Sequence, residues 1–195
     1  NMKPDTAVID WSARGGMTNR VAVNVPSRAE LLDDLETRLA QGRGFTVATL
    51  NLDHLVKLER DAAFRDAYLA QSHVTADGNP VVWLSGLAGR RIELVTGSDL
   101  VLPVVQAAAR RGVPVALLGA TPAVLDAAAQ ALCEAVPGLS VVARIAPPMG
   151  FDPLGPGVKP VIAELKASGA RLCLIALGAP KQEILAARAT AALPH

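Results

Sequence analysis

Residues 45–51 read Phe-Thr-Val-Ala-Thr-Leu-Asn, an apolar run that ends in a polar side chain. This run predicts a buried strand, and the helical spacing of apolar residues across 53–71 predicts a helix directly after it. A second short run, which ends in Asp77-Gly78, precedes another apolar helix. Thr49, Asn51 and Asp77 are thus predicted to lie where strands end and helices begin. Ligands of open α/β sheets bind at these carboxyl ends, so we predict that the three side chains surround one small molecule.

Strand-like and helical segments alternate along nearly the whole chain, and the strand-like runs are continuously apolar. This pattern is typical of a parallel sheet that is covered on both faces. Strands are predicted at 21–25, 45–50, 74–76, 114–118, 140–145 and 171–177, with a further short strand at 91–95. Helices are predicted at 27–41, 53–71, 80–87, 100–111, 121–135, 158–168 and 181–193, and Asp61 and Asp66 are candidate breaks in the second. The predicted fold class is α/β, a Rossmann-like, mostly parallel sheet with helices on both faces. Residues 1–20 are predicted to be a lead-in segment and 21–195 a single domain.

Composition excludes several classes of function. Hydrophobic residues make up 51% of the chain, aromatic residues 3%, and the formal net charge is +1. A base-stacking surface or a strong field for a polyanion is therefore not expected, and nucleic acid is not a predicted partner. No apolar run reaches the roughly 18 residues of a membrane-spanning helix. Cys133 and Cys173 lie in apolar segments, which predicts two buried, reduced thiols.

Glycines mark two predicted strand-to-helix junctions, at Gly119 and at Gly178. Each junction can bring backbone N–H groups and a helix N-terminus to a phosphate, or it can be an ordinary turn. The fingerprints G-x-G-x-x-G and G-x-x-x-x-G-K-[ST] are absent, which argues against NAD and ATP sites. Asp77 before Gly78 is either a turn residue or a general base.

Two further polar segments open helices, and the histidines have no metal-ligand spacing. The segment 96–99 reads as an N-cap followed by an acidic first turn, and the segment 181–183 as a solvated first turn. His54, His73 and His195 are interpreted as structural or surface residues.

Five motifs occur together in an order and spacing that resemble the WecG/TagA/CpsF glycosyltransferases. They are Thr49-Leu50-Asn51, Ala76-Asp77-Gly78, Val95-Thr96-Gly97-Ser98-Asp99, Leu117-Leu118-Gly119 and Gly178-Ala179-Pro180-Lys181-Gln182-Glu183. The resemblance implies an inverting enzyme that moves a sugar from a UDP-sugar to a polyprenyl-diphosphate-linked sugar. The sugar would be N-acetylmannosamine, glucose or a similar one, in surface or exopolysaccharide assembly. The resemblance also implies a metal-independent reaction without a cofactor, and this sequence likewise has no Asp-x-Asp.

The resemblance assigns a role to each matching residue. Asp77 would be the general base, next to Gly78, and Thr49 and Asn51 would line the sugar and acceptor pocket. Gln182 would face the same cleft, with Lys181 available to the leaving diphosphate. Gly97 and Asp99 would shape the nucleotide side, and Gly119 and Gly178 would bring backbone close to the nucleotide.

The sequence departs from the family pattern in three places. Leu50 and Ala76 stand where many members have proline. Members usually continue past the last helix into a basic C-terminal appendage, which we expect to be absent from a chain that stops at His195.

The resemblance also implies a place in the cell and a set of partners. The protein is expected to be cytoplasmic and peripheral at the inner face of the cytoplasmic membrane. Apart from the resemblance, apolar helical faces such as 81–87 can pack between subunits as easily as in the core, which allows a homo-oligomer. The alternatives are a non-catalytic nucleotide-sugar-binding module and an NAD-dependent oxidoreductase.

Overall fold

The computed structural model describes residues 7–9 and 21–193. The remainder of the predicted lead-in, residues 1–6 and 10–20, lies outside the described residues, as do residues 194 and 195 at the other end. The strands are β1 (Ala7–Ile9), β2 (Val21–Val23), β3 (Val47–Leu50), β4 (His73–Ala76), β5 (Val115–Gly119), β6 (Val141–Ile145) and β7 (Leu172–Ala176). The helices are α1 (Arg28–Gln41), α2 (Leu52–Arg60), α3 (Ala62–Leu69), α4 (Asn79–Leu87), α5 (Gly97–Arg110), α6 (Pro122–Ala135), α7 (Val158–Ala167) and α8 (Lys181–Ala192).

The chain divides into two compact units, which are described here one at a time. The first unit holds the described residues up to 35 together with 45–100, and the second holds 36–44 together with the described residues from 101 onward. Parallel strands with helices around them occur in both units. The predicted α/β fold class is therefore confirmed.

Three segments of the first unit run in the same direction and end side by side. β3 and β4 pair in parallel, with Leu50 opposite Ala76. Leu94 forms a single parallel bridge to Ala76, and the Val95 amide donates to the Ala76 carbonyl over 2.8 Å. β1 and β2 form an antiparallel pair. The carboxyl ends of β3, β4 and the segment at 94–95 therefore share one edge of this unit.

Helix α1 begins as its sequence predicts. The Ser27 hydroxyl accepts a hydrogen bond from the Glu30 amide at 3.2 Å, so serine supplies the N-cap that satisfies one free N–H of the first turn. Leu31, Leu35 and Leu39 recur at helical spacing and are all buried. The helix is thus held by its cap and by one apolar face.

The second unit is built on a three-stranded parallel sheet with β5 in the centre. β6 lies on one side of β5 and β7 on the other, and every residue of β5 is buried. Ala116 and Leu118 of β5 pack with Val158 and Val161 of α7 and with Leu185 of α8. Because side chains alternate along a strand, Val115 and Leu117 face the opposite side of the sheet.

Several boundaries differ from the predictions. The helical pattern at 53–71 forms two helices that meet at Asp61, whereas Asp66 lies inside α3. The predicted strand at 91–95 is reduced to the single bridge at Leu94. One predicted buried thiol is also wrong, because Cys133 is exposed. Cys173 is half-buried rather than fully buried, and the burial of its thiol raises the pKa to about 12.

Candidate active site

Thr49, Asn51 and Asp77 come together at the shared edge of the first unit. Thr49 is the second-last residue of β3 and pairs with Thr75 of β4. Asp77 directly follows β4. The Asp77 amide donates to the Leu50 carbonyl over 2.8 Å, which extends the parallel pairing by one bond and fixes where Asp77 leaves the sheet. All three residues are half-buried. Their side chains therefore remain accessible to a ligand while their backbone is held by the sheet.

Two glycines let neighbouring segments approach this edge. A Cβ added to Gly97 would lie 3.6 Å from the Thr49 Cγ2 atom, and a Cβ added to Gly78 would lie 3.9 Å from the Asn51 Cβ atom. The φ angle of Gly78 is +129°, a conformation that favours glycine. Gly78 and Gly97 thus bring the start of α4 and the start of α5 against the residues at the end of β3.

The first turn of α5 adds a carboxylate close to Gly97. The Thr96 hydroxyl accepts a hydrogen bond from the Asp99 amide at 3.2 Å, and Asp99 is exposed. This geometry confirms the N-cap interpretation of residues 96–99. Asp99 thus lies in the first turn of α5, two residues after Gly97.

The oxygen and the nitrogen of the Asn51 side-chain amide have different roles. Its Oδ1 atom accepts a hydrogen bond from the His54 amide at 2.9 Å and so caps the N-terminus of α2. Only the oxygen of an amide can accept from a backbone N–H, so the cap decides how the side chain is oriented. The amide nitrogen is then the end that a ligand can meet, and it is a donor.

In the second unit, the strand order reverses at β5. The chain passes from β5 through α6 to β6 on one side, and then through α7 to β7 on the other side of β5. Such a switch point, outside the carboxyl ends of the strands, is where open α/β sheets bind ligands. Gly119 ends β5 opposite Ala176 of β7, and the following Ala120 has a φ of +53°. A Cβ on Gly119 would lie 2.3 Å from the Ala176 carbonyl oxygen, so only glycine fits there.

The loop after β7 leads into α8 at the same end of the sheet. Gly178 has a φ of +73°, and its carbonyl accepts a hydrogen bond from the Gln182 amide at 3.1 Å. Lys181 is exposed and Gln182 is half-buried, so both side chains are accessible. Glu183 is only 3% exposed and accepts a hydrogen bond from the Gln182 Nε2 atom at 3.2 Å. The predicted solvated first turn is therefore wrong for Glu183.

The structure thus gathers the predicted site residues into two groups. Thr49, Asn51, Asp77, Gly78, Gly97 and Asp99 share one edge of the first unit. Gly119, Gly178, Lys181 and Gln182 lie in the loops that follow β5 and β7 of the second unit. Each group is at the carboxyl end of parallel strands, which is where the sequence placed it.

A family model adds independent evidence on the class of the chain. The model described as "Glycosyl transferase WecG/TagA/CpsF family" matches residues 18–195, nearly the whole chain. The chain belongs to this family. The resemblance drawn from the five motifs is therefore confirmed, and the protein is a WecG/TagA/CpsF glycosyltransferase.

Two observations bear on the surroundings of this WecG/TagA/CpsF domain. Across residues 7–9 and 21–193, no helix is long and apolar enough to cross a membrane. In the same part of the chain, no three His, Cys, Asp or Glu side chains are grouped so that they could hold a metal ion. The expectation of a metal-independent transferase stays a prediction.

Sequence reasoning missed two residues that contact the end of β3. His54 and Tyr68 are buried, and both approach the Thr49 carbonyl oxygen. The sequence alone indicates only a structural or surface role for His54. The two residues lie on different helices, so a periodic pattern does not predict their contact, and only the fold reveals that they meet.

Proposed function

We propose that this WecG/TagA/CpsF glycosyltransferase moves a sugar from a UDP-sugar to a polyprenyl-diphosphate-linked sugar, with inversion and with Asp77 as general base. The donated sugar is N-acetylmannosamine, glucose or a similar sugar. The observation that supports the proposal is the position of Asp77. Asp77 is half-buried and directly follows β4, which pairs with the strand that leads through Thr49 to Asn51, and its backbone is held by the sheet.

The reaction is a single displacement. An acceptor hydroxyl oxygen attacks the anomeric carbon on the face opposite the leaving group, which inverts that centre. The bond from the anomeric carbon to the diphosphate breaks, and its electron pair leaves on the β-phosphate oxygen of UDP. The hydroxyl proton passes to the Asp77 carboxylate. Because a carboxylate is a weak base toward an alcohol, proton transfer accompanies formation of the new bond rather than preceding it.

The departing diphosphate gains negative charge, which needs donors that are already in place. The second unit offers the N-terminus of α6 behind Gly119 and that of α8 behind Gly178, and a helix N-terminus presents free N–H groups and a positive dipole end. Lys181 adds an exposed ammonium in the first turn of α8. In this proposal these groups of the second unit take the diphosphate.

Polar side chains orient the two sugars. Asn51 donates through its amide nitrogen, since its oxygen caps α2. Thr49 offers a hydroxyl that can donate or accept. A sugar has hydroxyl groups of both kinds, so a mixed set of donors and acceptors suits it.

The acceptor determines the proposed location and partners. A polyprenyl chain is lodged in a lipid bilayer, so we place the protein in the cytoplasm, peripheral to the inner face of the membrane. The partners in this proposal are a UDP-sugar, the lipid-linked acceptor, the membrane surface and a second copy of the chain in a homo-oligomer. Nucleic acid, a metal ion and a separate cofactor have no part in it.

The substitution Asp77→Asn tests the proposal. It removes the base but keeps the size of the side chain, so transfer should fall by about 10²- to 10⁴-fold while UDP-sugar binding persists. Transfer is measured with a panel of UDP-sugars and a short-chain polyprenyl-diphosphate-linked N-acetylglucosamine, and binding is measured by calorimetry.

The control variant is Asp53→Asn, which removes a carboxylate from the same unit. Asp53 is exposed and forms a 2.7 Å ion pair with Lys57. Its pKa is lowered, first by the hydrogen bond from Lys57. This variant should transfer normally. Normal turnover by Asp77→Asn would remove Asp77 from the role of base.

A further inference from the structure

His54 of α2 and Tyr68 of α3 form a buried polar pair behind the end of β3. His54 is 7% exposed and Tyr68 2%, and both contact the ring of Phe64, which is fully buried. The ring centroids lie 5.8 Å apart for His54 and Phe64 and 5.0 Å apart for Phe64 and Tyr68, in edge-on arrangements. An imidazole and a phenol in such apolar surroundings destabilise the fold unless their polar atoms are hydrogen-bonded. Their bonding partners therefore matter.

Both side chains converge on the Thr49 carbonyl oxygen. The Tyr68 hydroxyl donates to it over 2.5 Å, and the His54 Nδ1 atom lies 3.0 Å from it and 2.9 Å from the Tyr68 oxygen. A carbonyl oxygen can only accept, and it has two lone pairs. We therefore assign the hydrogen of the His54 ring to Nδ1, so that this one oxygen receives two donors.

The Thr49 carbonyl points away from the paired strand, which is why side chains can reach it. The carbonyls of Thr46 and Leu50 accept hydrogen bonds from the β4 side, from His73 and Asp77. Successive carbonyls of a strand point to opposite sides, so that of Thr49 faces the other edge of β3. His54 and Tyr68 occupy the place that a neighbouring strand would take there.

His54 also holds the next polar residue of the site. Its backbone amide donates to the Asn51 Oδ1 atom at 2.9 Å, while its ring is bonded at Thr49. A single residue is thus linked to both ends of Thr49-Leu50-Asn51. The two donors on one carbonyl fix the plane of the peptide that joins Thr49 to Leu50.

We propose that His54 and Tyr68 are positioning residues, which hold Thr49-Leu50-Asn51 in the geometry that sugar transfer requires. This inference rests on the proposed function of that segment. Neither side chain touches the substrate, because both are buried behind the strand. Small displacements of groups that orient a substrate can cost about 100-fold in rate, so loss of the pair should reduce kcat more than it weakens binding.

Three variants and one control test the pair. Tyr68→Phe removes one donor with no other change, and His54→Leu removes the other. His54→Asn restores a donor, since its amide nitrogen lies about where Nδ1 was. The control is Leu31→Val, which destabilises the same unit through the buried face of α1 and leaves both donors intact.

The kinetic result separates positioning from mere stability. We expect kcat to fall about tenfold or more in Tyr68→Phe and in His54→Leu, with KM for the UDP-sugar within about twofold of its original value. His54→Asn should recover much of the loss, and Leu31→Val should lower the melting temperature without lowering kcat. Unchanged kcat in folded Tyr68→Phe and His54→Leu, while the unaltered chain is active, would overturn the inference and leave the proposed function standing.

Amide hydrogen exchange tests, independently of activity, whether His54 and Tyr68 hold the segment Thr49-Leu50-Asn51. The backbone amides of Leu50 and Asn51 should exchange about tenfold faster in Tyr68→Phe than in the unaltered chain. In Leu31→Val, the exchange rates of these two amides should change no more than those of the other amides of the first unit. If the unaltered chain transfers no sugar, the proposed function fails, and the exchange result alone decides whether the pair holds the segment. Equal exchange in all variants would show that it does not.

Discussion

At the scale of single residues, Gly119 tolerates the least change. An added Cβ there would lie 2.3 Å from the backbone oxygen of Ala176, closer than real Cβ atoms approach another atom. Its φ of +124° is also a conformation that side chains disfavour. Backbone contact and backbone conformation thus both require glycine at the end of β5.

The substitution Gly119→Ala should therefore lower the free energy of unfolding by about 3 kcal/mol, through the cost of a positive φ and of forcing two strands apart. Gly112→Ala is the matched control, because Gly112 has a φ of +62° and nothing within 4 Å of an added Cβ. It should lose only about 1 kcal/mol. Urea unfolding of both variants measures the difference, and equal losses would mean that β7 moves aside at little cost.

The same scale shows why some site residues could be predicted and others could not. Asp77, Gly78 and Gly119 carry local signals, since a carboxylate or glycine that directly follows an apolar run marks the end of a strand. His54 and Tyr68 carry no such signal. Their meeting depends on the angle between α2 and α3, which places two side chains of different helices on one carbonyl oxygen.

At the scale of elements, the apolar pattern of the segment after β3 predicts helical structure but does not determine how many helices form. The apolar spacing across 53–71 is compatible with one helix or with two. Asp61 ends α2 and caps α3, with its Oδ1 atom accepting from the Phe64 amide at 2.9 Å, whereas Asp66 is an exposed residue within α3. Both are aspartates whose neighbours in the sequence are of similar types. The choice between them is made by packing, because the break at Asp61 turns Phe64 and Tyr68 onto His54.

The substitution Asp61→Ala should cost about 1 kcal/mol of stability, because it removes the side chain that satisfies a free N–H of α3. Asp66→Ala should be neutral or slightly stabilising, since alanine has the higher helix propensity at an exposed interior position. Urea unfolding again gives both values. A loss at Asp66 equal to that at Asp61 would argue that the break in the helix is not maintained by the cap.

At the scale of the whole molecule, the fold class and the family could both be predicted from the sequence. Continuous apolar strands that alternate with helices define a parallel α/β chain, and five motifs in register define the family. The division into two units could not be predicted. Its boundary passes through α1 and α5, between residues 35 and 36 and between 100 and 101. A helix that is shared between units has the same sequence pattern as any other amphipathic helix.

Ligand binding gives a whole-molecule prediction, because a ligand that binds only the folded state stabilises it. UDP at a concentration of about 100 times its dissociation constant should add about 2.7 kcal/mol. For a chain of this size that is a rise in melting temperature of about 5–10 °C. NAD and ATP at the same concentration should cause no such rise, because their glycine-rich fingerprints are absent from the sequence. A scanning fluorimetry series with the three nucleotides makes the comparison.

Asp77→Asn should keep the rise in melting temperature with UDP, since the base acts on the acceptor and not on the nucleotide. A rise with NAD alone would contradict the proposed donor and favour an oxidoreductase.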